Sequence, residues 1–141
     1  MVRVLQAVLP DGEKTGVELH LETDLKPGDL VSVLERIFHP LLRANYDMGN
    51  SASLGHNPEE ELTLLNPWLG SVHVKDRMLG GGTVPLGTGD TDFSTCFRLI
   101  AAAGFQGPFI LQAAREETLD EVELAVRNRK FVQLQQIQNV E

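Results

Sequence analysis

Four short apolar runs, each carrying a polar side chain at or near its end, alternate along this chain with stretches of helical periodicity. GVELHLE (16–22) alternates apolar and polar residues and is β-prone, which predicts a strand. LLRANYD (41–47), GSVHVKD (70–76) and GPFILQA (107–113) predict three more. LVSVLERIF (30–38) has helical spacing, is introduced by Lys26-Pro27-Gly28-Asp29 and is stopped by His39-Pro40. Asn57-Pro58-Glu59-Glu60 opens another helix, with proline in its first turn and acids near its positive end, and Asn66-Pro67 closes it. A glycine-rich loop, LGGGTVPLGTGDTDF (79–93), follows the third strand; Thr91 or Asp92 then caps a helix through about Ala103, ended by Gly104. Residues 2–9 read as the end of a helix closed by Pro10-Asp11-Gly12. Thr118 to about Gln138 reads as one long helix with Leu119, Val122, Val126 and Leu134 among its apolar positions and a fraying polar tail, QLQQIQNVE.

The order (α)βαβαβαβα contains no linker, so residues 1–141 are expected to form a single domain. Strict alternation predicts an α/β fold with a parallel sheet and right-handed crossovers. Four such units make half of a (β/α)8 barrel, which takes about 250 residues. An open doubly wound sheet is the alternative. No GxGxxG follows the first strand, which speaks against a dinucleotide site.

Composition narrows the function classes. The net charge is −8 and the pI about 4.9, against a nucleic-acid backbone as partner. No apolar run is long enough for a membrane span, and the amino-terminal residues lack a signal-peptide core. Cys96 is the only cysteine and lies in a helical pattern, so it is expected to be a small core residue in a reducing, cytoplasmic compartment.

The polar residues at the strand ends carry the chemistry. Glu22, Asp47, His73 and Gln112 recur about once per βα unit of roughly 30 residues, which brings them together at the carboxyl ends of neighbouring strands. Two carboxylates, an imidazole and an amide oxygen make a ligand set for a divalent cation. Lys75, Asp76 and Arg77 lie two to four residues after His73. Asp76 is placed to orient a ligand, and Lys75 and Arg77 to hold substrate oxygens or phosphate, unless the three form an ordinary charged loop. Arg115, after the fourth strand, suits an anion on the same terms. The glycines of the 79–93 loop read as turn chemistry rather than a phosphate cradle. His20, His39 and His56 have no role in this pattern.

LHLETDL, ANYDMGNSASLG, GSVHVKDR, GGGTVPLGTGDTDF and GPFILQAAR resemble the C-terminal half of the xylose isomerase-like TIM barrel family, over roughly residues 13–130 and most specifically between Tyr46 and Phe93. The nearest likeness is to its sugar-phosphate isomerase/epimerase branch, hexulose-6-phosphate isomerases among them. The resemblance implies a divalent metal such as Mn²⁺, Co²⁺, Mg²⁺ or Zn²⁺, held by Glu22, Asp47, His73 and the residue at 112. It also implies a sugar or sugar-phosphate substrate, with Glu22 as the base and Asn50, Lys75, Asp76, Arg77 and Arg115 as substrate contacts. Gln112 stands where most relatives carry a glutamate. A glutamine oxygen binds a metal but is not a base, which disfavours two-base epimerisation and leaves one-base isomerisation.

The likeness begins in what would be the fourth helix of the barrel, so the chain is expected to be truncated to about four βα units. It would then have two open strand edges, Val17–Leu21 and Phe109–Leu111, and an uncovered apolar inner face. Such a chain would self-associate or need a partner half, and a catalytically inactive half barrel is the competing function. An endonuclease IV-like DNA-repair role is a remote third, because no histidine closely follows His73 and the charge is −8.

Overall fold

The computed structural model describes residues 1–116 and 118–138. The last three residues of the polar tail lie outside them. Four parallel strands form one sheet in the order β1 (Leu19–Leu21), β2 (Leu42–Asp47), β3 (Leu69–Val74) and β6 (Phe109–Leu111), with β4 (Asp76–Arg77) and β5 (Thr83–Val84) forming a separate antiparallel hairpin. The helices are α1 (Val2–Thr15), α2 (Pro27–Ile37), α3 (Met48–Leu54), α4 (Pro58–Leu65), α5 (Phe93–Ala102) and α6 (Glu121–Gln138). This is the alternating α/β architecture that the sequence pattern predicts.

Period-2 alternation divides the central strands between two faces. Leu42, Ala44 and Tyr46 of β2 and Val72 and Val74 of β3 join the hydrophobic core, together with Leu34, Leu62 and Ile100 of the covering helices. Arg43, Asn45, Asp47, Ser71 and His73 take the opposite, concave face. A register shift between Ala44 and Asn45 sets Asn45 beside Ser71 and Asp47 beside His73. On β2 and β3 this face is polar, its positions holding hydrogen-bonding side chains where a closed barrel stacks branched aliphatics, while Ile110 of β6, in register with His73, keeps an exposed apolar side chain on it.

Several elements depart from the sequence pattern. α1 runs through Pro10 and ends at Gly16, which has a left-handed φ of 70°. Gly12 does not close a turn; it lets the chain return closely, since a Cβ there would lie 2.9 Å from the Val17 carbonyl oxygen. α3 fills what reads as a loop after β2, and the glycine-rich segment contains β5, which pairs back onto β4. The caps agree with expectation: Asn57 accepts from the Glu59 N–H and Asp92 from the Thr95 N–H. α6 buries Asn128 and Val132, whereas Val122, Val126 and Leu134 are exposed. Val122 and Val126 line a groove of about 740 Å³ beside Phe109 and Leu111.

Candidate metal centre

β1, β2 and β3 end side by side and bring three ligand-type side chains together. Glu22 directly follows β1, Asp47 is the last residue of β2, and His73 pairs with Asp47 in register. One oxygen of each carboxylate and one imidazole nitrogen lie within 4.8 Å of one another. His73 Nδ1 is 3.1 Å from Glu22 Oε2 and 3.7 Å from Asp47 Oδ2. Neither contact has hydrogen-bond geometry, so His73 Nδ1 and Asp47 Oδ2 are both buried without a hydrogen-bond partner. Buried polar atoms are rarely left so. Two orphaned atoms facing each other beside a third donor form a set that a divalent cation would satisfy.

The surroundings hold these donors in place. Asp47 Oδ1 accepts from the Asn50 N–H at 2.7 Å and caps α3. Burial pushes the Asp47 carboxyl above its ordinary range, opposed by the Asn50 N–H and by Lys75. Its stabilising contribution is thus present below the ordinary carboxylate pKa of about 3.9 and lost as pH rises through the raised value.

Glu22 is held through both oxygens. Asn45 Nδ2 donates to Oε2 at 3.0 Å and Asn50 Nδ2 to Oε1 at 2.8 Å. Ser71 Oγ donates to Asn45 Oδ1 at 2.9 Å and lies 2.8 Å from His20 Nδ1. Arg77 Nη1 donates to Asn50 Oδ1 at 2.9 Å, and its Nε and Nη2 both donate to the Gly81 carbonyl.

The other candidates take up different positions. Gln112 directly follows β6 and is exposed; its amide oxygen accepts from Lys75 Nζ at 3.0 Å. Lys75 Nζ is also 3.7 Å from Asp47 Oδ2. Asp76 turns away from the cluster. Its fully buried carboxylate accepts from the N–H groups of Gly87, Thr88, Gly89 and Thr91 at 2.8–3.2 Å. The amides of this glycine-rich loop are thereby committed to Asp76. Arg115 lies in a separate hollow with Glu121 and Asn128.

Two groups escaped the sequence pattern. Asn45, Ser71 and His20 form the hydrogen-bonded row leading to Glu22, and alternate polar positions in ANYD and GSVH are their only sequence signal. Beneath the site, Ser51 Oγ and Tyr46 OH donate to the buried Glu61, which also lies 2.9 Å from His56 Nδ1. Their scatter in sequence leaves no signal.

A row of parallel βα units with two carboxylates and an imidazole gathered at the strand ends defines an α/β protein of the barrel type, with its site where such barrels build theirs. The chain belongs to the xylose isomerase-like TIM barrel family, whose sequence profile matches residues 1–134. It is 30% identical over 95 residues to the L-ribulose-5-phosphate 3-epimerase UlaE of Shigella boydii, covering 67% of this chain and 34% of that protein. A xylose isomerase domain protein from Planctomyces limnophilus superposes with a TM-score of 0.85 at 25% identity, over 98% of this chain and 53% of that one. A xylose isomerase-like TIM barrel protein from Mycobacterium smegmatis, solved in complex with magnesium, superposes at 0.74 with 19% identity, over 99% of this chain and 50% of that one. The chain thus spans about a third of the length of the curated relatives it matches and about half of these solved structures.

Proposed function

We propose that this chain carries the metal-holding half of a sugar or sugar-phosphate isomerase/epimerase. The observation that carries the proposal is the convergence of Glu22, Asp47 and His73, with Asp47 Oδ2 and His73 Nδ1 buried and unpartnered. These three residues would hold a divalent cation of the Mn²⁺, Co²⁺, Mg²⁺ or Zn²⁺ class. When bound, the cation supplies polarisation of a substrate carbonyl and charge stabilisation on its oxygen. Glu22 then moves the proton on the adjacent carbon, the two amides of Asn45 and Asn50 fixing the direction in which its carboxylate presents. Lys75 offers ammonium donors to substrate oxygens from the rim of the site. Arg77 acts through Asn50 to position Glu22. Kinship to a ribulose-phosphate epimerase supports a phosphorylated ketose as the substrate class. Since Gln112 supplies no second base, proton transfer on one face of the carbon is favoured over two-base epimerisation.

No helix among the described residues is long and apolar enough to cross a membrane. Burial pushes the Cys96 thiol up to about 12, which disfavours the thiolate and fits a core residue rather than a nucleophile.

Calorimetric titration with Mn²⁺ tests the site. Replacing His73 with alanine should weaken binding by at least about tenfold, since removing even a residue that only supports a ligand costs that much. Unchanged affinity would rule out this centre.

Among the described residues β1 and β6 each pair on one side only, and unpaired strand edges favour association. The 141-residue chain should run as a dimer or larger species in light scattering, and a stable monomer at micromolar concentration would refute this.

A further inference from the structure

Lys75 is built into the rim of the cluster. Its stem passes over Gly49 of α3, where a Cβ would lie 2.8 Å from Lys75 Cγ and 2.9 Å from the Lys75 carbonyl carbon and oxygen. Only glycine admits this approach, and it leaves the Lys75 side chain 16% exposed. The ammonium at its end has two neighbours of opposite character. Gln112 Oε1 accepts a hydrogen bond from it at 3.0 Å, and Asp47 Oδ2 is an anion 3.7 Å away. Among the described residues, Asp47 is the one carboxylate within ion-pair distance of Lys75. Gln112 is neutral, so it fixes the ammonium without balancing its charge. The ammonium thus shares with the candidate cation the same orphaned oxygen, Asp47 Oδ2.

We propose that Lys75, tethered by Gln112, is an internal counter-cation that competes with the divalent ion for Asp47 and sets the site to weak, exchangeable metal binding. This rests on the assignment of Glu22, Asp47 and His73 as the ion's ligands. Two consequences separate it from a fourth-ligand role for residue 112. Removing the Lys75 charge strengthens ion binding even though no ligand is added. A carboxylate at 112 strengthens ion binding chiefly by neutralising Lys75, so its benefit depends on that lysine.

Mn²⁺ alone is the probe, with free Mn²⁺ counted by electron paramagnetic resonance on the 141-residue chain at one pH and ionic strength. Lys75→Met should bind Mn²⁺ at least about tenfold more tightly than the wild type, the scale of one unit charge a few ångströms from a partly buried ion. Lys75→Arg, which keeps the charge, should stay within about threefold of the wild type; this separates charge from packing. Gln112→Glu should tighten binding by at least about tenfold in the wild-type background and lose most of that gain when combined with Lys75→Met. Binding by Lys75→Met where the wild type shows none would support the proposal in its strongest form. A wild type that binds, a His73→Ala variant that does not and a Lys75→Met variant no tighter than wild type would overturn the proposal while leaving the metal site standing. A Gln112→Glu gain undiminished by Lys75→Met would also overturn it and make residue 112 a direct ligand. No binding by any variant would remove both the site and the proposal.

Discussion

Glu22→Gln should lower proton transfer to a ketose phosphate by about 10²–10⁴-fold, the usual contribution of a positioned base, while leaving the fold intact. Glutamine keeps the length of the side chain and an amide oxygen that still accepts from Asn45 or Asn50, so the concave face loses little of its hydrogen bonding. What it loses is basicity. Gln112 offers no replacement, because its oxygen accepts from Lys75 and an amide takes no proton near neutral pH. Asp47 is no substitute either: one of its oxygens caps α3 and its carboxyl lies buried behind Lys75 and His73. Deuterium wash-in from D₂O at the carbon beside the ketose carbonyl, followed by NMR, reads the step without a coupled assay. Exchange at the wild-type rate in Glu22→Gln would remove Glu22 as the base. The control is Mn²⁺ affinity, which should fall far less than turnover.

The large elements and the meeting of Glu22, Asp47 and His73 were legible in sequence for the same reason, whereas Gln112, at the matching end of β6, is bonded to Lys75 and stands outside that group. A βα unit has a nearly fixed length, so polar residues at matching strand ends must meet. Glu22, Asp47 and His73 follow that rule, and Asp47 and His73 stand directly opposite each other. The smaller elements follow tertiary rather than periodic rules. MGNSASL has a glycine and three small polar residues, poor helix material, yet it forms α3 because Asp47 caps it and Ser51 is anchored on Glu61. β4 and β5 are two residues each, too short for any alternation to register. The partners of Asp76 were illegible too. Three residues after His73, an odd step that turns it to the opposite side, it finds four amide partners 11 to 15 residues downstream.

That placement makes Asp76 the residue on which the shape of the loop depends. Asp76→Ala should destabilise the protein by about 3 kcal/mol or more, because hydrogen bonds to a charged acceptor contribute about 1.5–3 kcal/mol each and unmatched amides carry their own penalty. Loop relaxation toward water recovers part of a simple sum over four bonds; Gly87 and Thr88 are already exposed. Asp76→Asn should cost less, since one oxygen remains and Oδ2 alone serves three of the four amides. Urea unfolding orders the three proteins, and amide hydrogen exchange at Gly87, Thr88 and Gly89 locates the loss. The effect should reach the metal centre by a traceable path. Asp76 and Arg77 form β4, Arg77 holds Asn50, and Asn50 holds Glu22. Loosening the hairpin should therefore weaken Mn²⁺ binding in Asp76→Ala even where the protein remains folded. Wild-type exchange protection at those three amides would show that the loop holds its shape without the carboxylate, and would break the chain of contacts at its first step.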